Sequence, residues 1–231
     1  MTARGATAER PRPLVVGVIA SRADLDRAMR MQTPPNFFEL RLDRLAGIVD
    51  QLEDKLPKLR APLIITARHP QEGGANKLSP PQRRNLLTRF LNQAQYLDVE
   101  LRSAFAMRGL FTLAKQKKVR RIISFHDIKS TPHPRMLARK LHAAKVDGAN
   151  IFKVATRTDT PVQLARLLNF ITSKEVNLPV AAMGIGKLGV ISRVLLGRAG
   201  SALVYVSLTA AMDVEGQLSL EEHRALRLSP R

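Results

Sequence analysis

Cysteine is absent from this 231-residue sequence. Its absence excludes a disulfide framework and any metal site built from thiolates. A nucleophile, if the protein uses one, must therefore be a lysine, serine, threonine, aspartate, glutamate, histidine or tyrosine. A chain without cysteine is compatible with the reducing cytoplasm, and we predict a cytoplasmic location.

Tryptophan is also absent, aromatic residues make up only 4%, and 19 acidic residues face 38 lysines and arginines, for a net charge of +19. Such a charge favours an anionic partner, which could be nucleic acid, a membrane surface or a small acidic substrate. A basic surface that is merely solvated is the simpler interpretation. The densest basic cluster, Lys115–Arg121, is typical of a helix C-terminus, and the scarcity of aromatics is poor for base stacking. Nucleic-acid binding is therefore the less favoured function.

Long hydrophobic runs are lacking as well. The run Pro13–Ala20 is far too short to cross a membrane, and no secretory signal pattern follows the first arginines. The sequence predicts a flexible tail over residues 1–12 and one domain over residues 13–231, with no membrane partner.

Short apolar, β-branched segments alternate with amphipathic helical segments along the chain. Eight strands are predicted at Leu14–Ala20, Asn36–Arg41, Pro62–Ala67, Leu97–Leu101, Arg121–Phe125, Ile151–Val154, Pro179–Ala182 and Leu203–Val206. Helices are predicted at Asp24–Met31, Ile48–Leu59, Pro80–Gln95, Ser103–Lys118, Pro134–Lys145, Thr160–Lys174 and Gly189–Arg198, and from Ser219 onward. This alternation predicts a single (β/α)8 barrel, the TIM barrel. An open doubly wound sheet is less favoured, since no Gly-x-Gly-x-x-Gly follows the first strand.

Charged residues occupy one face of the second predicted strand. In the segment 37–43, Glu39, Arg41 and Asp43 share one face, and three apolar residues share the other. A strand packed between two apolar layers should be apolar throughout. In a barrel the charged face points inward, where its members must be paired with one another or with a ligand.

Four further strands repeat this layout. Their inward ionisable or polar residues are Thr66 and Arg68, Asp98 and Glu100, Ser124 and His126, and Lys153. A structural ion network could explain one such strand, but five strands that converge on one interior favour an active site.

Lys153 is flanked by Ile151, Phe152, Val154 and Ala155. Desolvation in such a strand favours the neutral amine, which is the nucleophilic form. His126 alone could be a structural histidine, but beside an inward lysine it is a candidate proton shuttle. No histidine shows metal-ligand spacing, and we predict no metal site.

The ordered set of these segments resembles the type I 3-dehydroquinate dehydratase family from about Pro13 to Leu226. The matching segments are Glu39-Leu-Arg-Leu-Asp43, Thr66-Ala-Arg68, Glu72-Gly-Gly74, Asp98-Val-Glu-Leu101, Ser124-Phe-His-Asp127, Phe152-Lys-Val-Ala155, Met183, Gly189-Val-Ile-Ser-Arg193 and Gly216-Gln217. Each motif is weak alone, and their joint order and spacing are specific.

The resemblance implies a lyase that dehydrates 3-dehydroquinate to 3-dehydroshikimate in the shikimate pathway of aromatic amino-acid biosynthesis. It implies a Schiff base on Lys153, proton transfer by His126 and orientation of His126 by Glu72. It also implies a homodimer and no cofactor. The implied substrate-binding residues are Glu39, Arg41, Arg68, Arg193 and Gln217, with Met183 and Ser192 as pocket lining.

One position departs from the family pattern. Asp213 stands where the family usually has a small hydroxyl residue that contacts substrate. We expect residues 210–217 to form a lid with Gly216 as a possible hinge, and Asp213 to point away from the substrate carboxylate. A related Schiff-base barrel lyase or aldolase, or a family member with reduced activity, remains the nearest alternative, and a basic nucleic-acid-binding protein is the alternative of another class.

Overall fold

The computed structural model describes residues 12–209 and 214–226. Residues 1–11 of the predicted tail lie outside the described residues, and so does Asp213 of the predicted lid.

Within these described residues, nine parallel strands form one sheet in the order β7-β6-β5-β4-β3-β2-β1-β8-β9. Eight of them match the predicted strands to within a few residues, and the short β9 was not predicted. Their bounds are β1 Leu14–Ile19, β2 Phe37–Arg41, β3 Leu63–Thr66, β4 Ala94–Glu100, β5 Arg120–Asp127, β6 Ile151–Arg157, β7 Val180–Ile185, β8 Leu203–Ser207 and β9 Leu218–Ser219.

The sheet curls around an apolar interior of its own. Within the described residues, one buried cluster takes a side chain from each of the first eight strands: Val16, Phe37, Ile64, Tyr96, Ile122, Ile151, Ala181 and Leu203. The amide of Ala202, next to β8, donates to the carbonyl oxygen of Val180 in β7 at 2.7 Å, so β7 at one edge of the sheet approaches β8. The prediction of an α/β fold with a parallel sheet is confirmed.

The helices cover the outer side of the sheet. They are α1 Arg22–Arg30, α2 Pro80–Phe90, α3 Arg108–Gln116, α4 Pro134–Val146, α5 Pro161–Ile171, α6 Gly189–Arg198 and α7 Leu220–Ala225. A larger apolar cluster lies between the two layers and joins outward strand residues such as Phe38 and Phe152 to helix residues such as Leu25 and Leu87. The predicted alternation of inward and outward side chains is therefore present, because successive residues of a strand point to opposite faces.

One predicted helix is wrong. The segment predicted as helix Ile48–Leu59 forms two 3-10 turns, Ala46–Gln51 and Leu56–Lys58. Pro57 lies near the C-terminal end of that prediction, in the second turn, and a proline lacks the amide hydrogen that an α-helix requires. In the described part of the chain, no helix is long and apolar enough to span a membrane.

Capping boxes define three of the helix starts. Ser79, Thr160 and Ser219 each accept a hydrogen bond from the third helical amide, and the third residue's side chain accepts one from the capping residue's own amide. All three starts agree with helices predicted from the sequence, which begin at Pro80, Thr160 and Ser219. Each box satisfies two amides that the helix cannot pair internally.

We predict that Thr160→Ala lowers the free energy of unfolding by about 1 kcal/mol, because α5 loses its N-terminal cap. Urea denaturation followed by circular dichroism measures this change. Thr112→Ala is the matched control, since the exposed Thr112 hydroxyl only bonds back to the carbonyl of Arg108 within α3. Equal midpoints for both variants would show that the cap contributes nothing to stability.

Candidate active site

A cavity of about 370 Å³ opens at the carboxyl ends of the strands. Nine of the eleven residues that the sequence predicted for the site line it, and eight of the nine have a predicted catalytic or substrate-binding role: Glu39, Arg41, Arg68, Glu72, His126, Lys153, Arg193 and Gln217. Met183, predicted as pocket lining, is a further lining residue. The cavity therefore brings together residues from strands and loops that are far apart in the sequence, at the end of the sheet where α/β proteins place their sites.

Lys153 lies at the centre of the interior. Its Nζ is 3.0 Å from Glu39 Oε1 in β2 and 3.0 Å from Asp98 Oδ2 in β4. The ring of Tyr205 in β8 lies on another side, with its centroid 3.7 Å from Nζ. The residue is 4% exposed, which agrees with the predicted burial. Its amine, however, lies between two carboxylates and not among apolar groups alone.

Arg68 connects the carboxylates beneath the cavity. Its guanidinium forms a bidentate pair with Asp98, at 2.8 and 3.2 Å, and donates to Glu100 at 3.0 Å. It also donates to Ser124 Oγ, which in turn donates to Asp98 Oδ1. These carboxylates hold the pKa of Arg68 well above its usual value despite complete burial. Arg68 therefore carries a fixed positive charge beside Lys153.

His126 and Glu72 form a hydrogen-bonded pair on the cavity wall. Glu72 Oε2 lies 3.0 Å from the ring Nδ1 of His126 and 3.0 Å from its backbone amide. Burial, and next the charge of Glu100, raise the pKa of Glu72 to about 7. Burial, and next the charges of Arg68 and Lys153, lower the pKa of His126 well below its usual value. The ring is thus neutral near pH 7, with Nδ1 facing Glu72 and Nε2 left for proton transfer.

Arg41 is tied to its neighbour Asp43. The guanidinium donates to both oxygens of Asp43, at 3.0 and 2.9 Å. Asp43 also accepts hydrogen bonds from the amides of Arg68 and Ala75. Arg41 holds Asp43 in place, and Asp43 in turn fixes the loop that carries Glu72.

Arg193 is buried at the opposite wall. It donates to the carbonyl oxygens of Gly184, Gly189 and Gly216. Its Nε has no hydrogen-bond partner among the described residues. Burial lowers the pKa of Arg193 to about 10, so the guanidinium remains charged at neutral pH. A buried cation with an unused donor at a cavity favours an anionic ligand.

The segment that carries Gln217 is packed tightly against the start of α6. Gly216 has a φ of +76°, and a Cβ atom there would lie 2.7 Å from the Cα of Gly189. Its carbonyl accepts from Arg193 and the amide of Gly186 donates to the neighbouring Glu215 carbonyl. Gly216 is therefore a position of close backbone approach, and its expected role as a hinge receives no support from this packing.

Ser192 was predicted to line the pocket, but in the structure its side chain has a structural role instead. Its hydroxyl accepts from the amide of Gly184 at 2.8 Å and donates to the carbonyl of Gly189 at 2.7 Å. The residue is fully buried. It joins β7 to the start of α6 and supports Arg193 from behind.

Several residues at the site were not assigned a role from the sequence. Asp98 and Glu100 were predicted to point inward, and the structure adds their ion pairs with Lys153 and Arg68. Tyr205 was missed, although strand alternation puts it on the same face as Leu203 in β8. Arg44 and Glu215 at the cavity mouth carried no sequence signal, because strand alternation does not fix the direction of loop side chains. Arg157 was missed because β6 extends beyond the predicted strand, and alternation puts it on the same face as Lys153.

Metal ligands are not grouped in this cavity. In the stretches 12–209 and 214–226, no three histidine, aspartate or glutamate side chains are arranged to hold a metal ion.

Comparison of the sequence with models of known protein families gives a match. A model described as type I 3-dehydroquinase matches residues 15–229. The chain belongs to the type I 3-dehydroquinase family. All the cavity residues predicted from the sequence fall inside the matched range, so the family resemblance stated from the motifs is confirmed.

Curated relatives cover most of the chain. The 3-dehydroquinate dehydratase of Pyrococcus abyssi is 32% identical over 197 residues, which are 83% of this chain and 86% of the relative. The 3-dehydroquinate dehydratase of Aquifex aeolicus is 30% identical over 193 residues, which are 82% of this chain and 85% of the relative.

Solved structures agree with the architecture. A type I 3-dehydroquinate dehydratase from Clostridium difficile superposes with a TM-score of 0.83 at 23% identity, covering 94% of this chain and 92% of the other. The 3-dehydroquinate dehydratase from Aquifex aeolicus gives a TM-score of 0.78 at 27% identity, covering 93% and 97% of the two chains. At 23% identity, the similarity to the Clostridium difficile structure supports the fold alone.

We predict that the imidazole of His126 stays neutral as the pH is lowered through about 6.5, the usual histidine value. Burial and the neighbouring cations oppose its protonation. Nitrogen-15 NMR of the ring measures the charge state, and His126→Asn identifies the resonances. A ring that titrates near the usual value would contradict the geometry described here.

Proposed function

We propose that this chain dehydrates 3-dehydroquinate to 3-dehydroshikimate through a Schiff base on Lys153. The observation that carries the proposal is the buried Lys153 amine in the same cavity as the Glu72–His126 pair. Ser124 of β5 lies in register with Lys153 of β6, so His126 lies two residues farther toward the cavity mouth than the lysine. Lys153, the nucleophile, lies deeper in the cavity, and His126, the proton-transfer group, lies nearer its mouth. A substrate held between them would contact both.

Schiff-base formation requires Lys153 to lose one proton before its nitrogen attacks. Glu39, 3.0 Å from Nζ, is placed to accept that proton. Asp98 is a weaker acceptor, because despite its burial the charge of Arg68, and next that of Lys153, hold its pKa well below its usual value. The amine adds to the ketone carbon, and the carbinolamine loses its hydroxyl group as water when the proton returns. Overall, an ammonium ion and a ketone give an iminium ion and water, so the charge of the site is unchanged.

The elimination then depends on the iminium and on His126. The iminium draws electrons from the adjacent C–H bond, and His126 removes that proton. The resulting enamine expels the hydroxyl group, which takes the proton back from His126 and leaves as water. Glu72 holds Nδ1 of the ring, which keeps Nε2 available for both transfers. Hydrolysis of the product iminium regenerates Lys153.

Substrate binding falls to the remaining cavity residues. Arg193 and Gln217, which both line the cavity, would hold the substrate carboxylate. Glu39, Arg41 and Arg68 would contact the ring hydroxyl groups and balance the charge. The cations at the mouth would draw an anionic substrate toward the cavity.

We also propose that the curled sheet closes into the (β/α)8 barrel that the sequence predicted. Glu39, Asp98, Lys153 and Tyr205 come from β2, β4, β6 and β8 and meet in one layer. Four side chains from alternate strands are the typical layer inside such a barrel. The cytoplasmic location and the homodimer implied by the resemblance stay predictions.

Absorbance of the conjugated enone product after addition of 3-dehydroquinate tests the reaction directly. We predict that borohydride added with substrate attaches covalent mass to Lys153 and inactivates the protein, because the iminium is reduced to a stable secondary amine. Peptide mass spectrometry locates the adduct. Lys140→Met is a matched control on the outer surface, where Lys140 contacts the ring of Phe125. Labelling elsewhere, or none at all, would remove Lys153 from the mechanism.

We predict that kcat/KM is full above about pH 7 and falls as the pH is lowered through that value. The reason is that the Glu72 carboxylate, whose pKa is raised to about 7, must be ionised to hold His126. Glu72→Gln should lower kcat/KM at pH 8 by roughly 10- to 100-fold and remove this limb of the profile. A variant that keeps the same acidic limb would show that another group controls it.

A further inference from the structure

Arg83 is a buried cation outside the cavity. It belongs to α2, is 1% exposed, and is not among the described residues that line the cavity. Its Nε donates to the carbonyl oxygen of Ala67 at 2.7 Å, and its Nη1 donates to Ser103 Oγ at 3.2 Å. Its Nη2 donates to Glu100. A buried arginine is costly to desolvate, so these contacts must offset a large penalty.

Glu100 joins Arg83 to the active site. One carboxylate oxygen accepts from Arg83 and from Ser103. The other accepts from the guanidinium of Arg68 at 3.0 Å and from the amide of His69 at 2.9 Å. Both oxygens are therefore occupied, and Glu100 cannot turn toward the cavity while these donors remain.

The ion pairs form one chain of alternating charge from α2 to the Schiff-base lysine. In order, its members are Arg83, Glu100, Arg68, Asp98, Lys153 and Glu39. Three cations meet three carboxylates, so the buried chain is neutral. Loss of Arg83 would leave one negative charge in excess in a region that water does not reach.

That excess would act on the nearby proton-transfer pair. Glu72 is held by His126 in β5, and it is also exposed to the charges of Glu100 in β4, of Arg68 after β3 and of Arg102 in the turn that follows β4. The negative charge of Glu100 opposes ionisation of Glu72. Arg83 neutralises that charge by pairing with the carboxylate oxygen of Glu100 that Arg68 does not contact. The net charge at Glu100 and Arg83 therefore affects how readily Glu72 of the Glu72–His126 pair ionises.

We propose that Arg83 is a positioning residue that neutralises Glu100 and so keeps Arg68 and the Glu72–His126 pair in their working state. The catalytic part of this statement rests on the function proposed above. Arg83 touches neither the cavity nor any reacting atom. It acts through Glu100, and no signal in the sequence singled it out.

Carbon-13 NMR of the Glu72 carboxyl carbon in the full substrate-free chain tests the proposal, and Glu72→Gln identifies the resonance. In Arg83→Gln the titration midpoint should rise by about half a unit to one unit, the size expected when a unit charge is lost near a partly buried site. Arg83→Lys keeps the charge and should leave the midpoint within a few tenths of a unit.

A double variant, Arg83→Gln with Glu100→Gln, removes both charges and keeps the chain neutral, which buried ion pairs commonly tolerate. Its midpoint should fall below that of the wild type, since the charge that opposes ionisation is gone. Arg89→Gln is the matched control on the same helix, where Arg89 pairs at the surface with Asp50 and Glu53. It should leave the midpoint unchanged.

Equal midpoints in the wild type, Arg83→Gln and the double variant would overturn the proposal. If Arg83→Gln does not fold, the double variant decides alone, and a midpoint at or above that of the wild type overturns it. The titration needs no substrate, so a chain that fails to dehydrate 3-dehydroquinate would refute the proposed function and leave this test intact.

The enone assay adds a catalytic measurement. The ratio of wild-type to Arg83→Gln kcat/KM should grow by roughly 2.5- to 5-fold from pH 8 to pH 6, because the midpoint of Glu72 rises by half a unit to one unit. A ratio that stays constant with pH would mean that Arg83 is structural only and would contradict the proposal.

Discussion

Pairing of buried charges inside the curled sheet is the constraint on which the site depends. Strands β2 to β6 put carboxylates, arginines and a lysine into an interior that apolar side chains fill elsewhere. Each of these charges would be prohibitively costly alone. They are stable because each cation lies about one hydrogen-bond length from a carboxylate, as Lys153 does from Glu39 and Asp98.

The same pairing prepares the chemistry. A neutral network keeps its charge when an ammonium ion becomes an iminium ion, so the surrounding dipoles need not reorganise during that step. The Glu72–His126 pair lies on the wall above, where burial pushes the pKa of Glu72 up and that of His126 down. One set of buried charges therefore pairs with Lys153 and also shifts the pKa values of Glu72 and His126.

Support for the cavity comes from groups that never reach it. Asp43 fixes the loop of Glu72, Ser192 fixes the start of α6 behind Arg193, and Arg83 closes the ion chain from α2. Such contacts hold catalytic side chains more precisely than the strands alone could, because a long side chain on a strand retains several rotamers.

The sequence by itself determined the strand alternation, and with it which residues face inward. Period-two patterning placed Glu39, Asp98, His126 and Lys153 on the interior face, and the motif order identified the family. Only the tertiary structure decided which charged side chains pair with one another. That Lys153 lies between two carboxylates and that a helix arginine completes the chain depend on register and curvature between distant strands, which no local pattern encodes. The helix predicted at Ile48–Leu59 failed for the reverse reason, since its apolar periodicity did not outweigh a proline in its last turn.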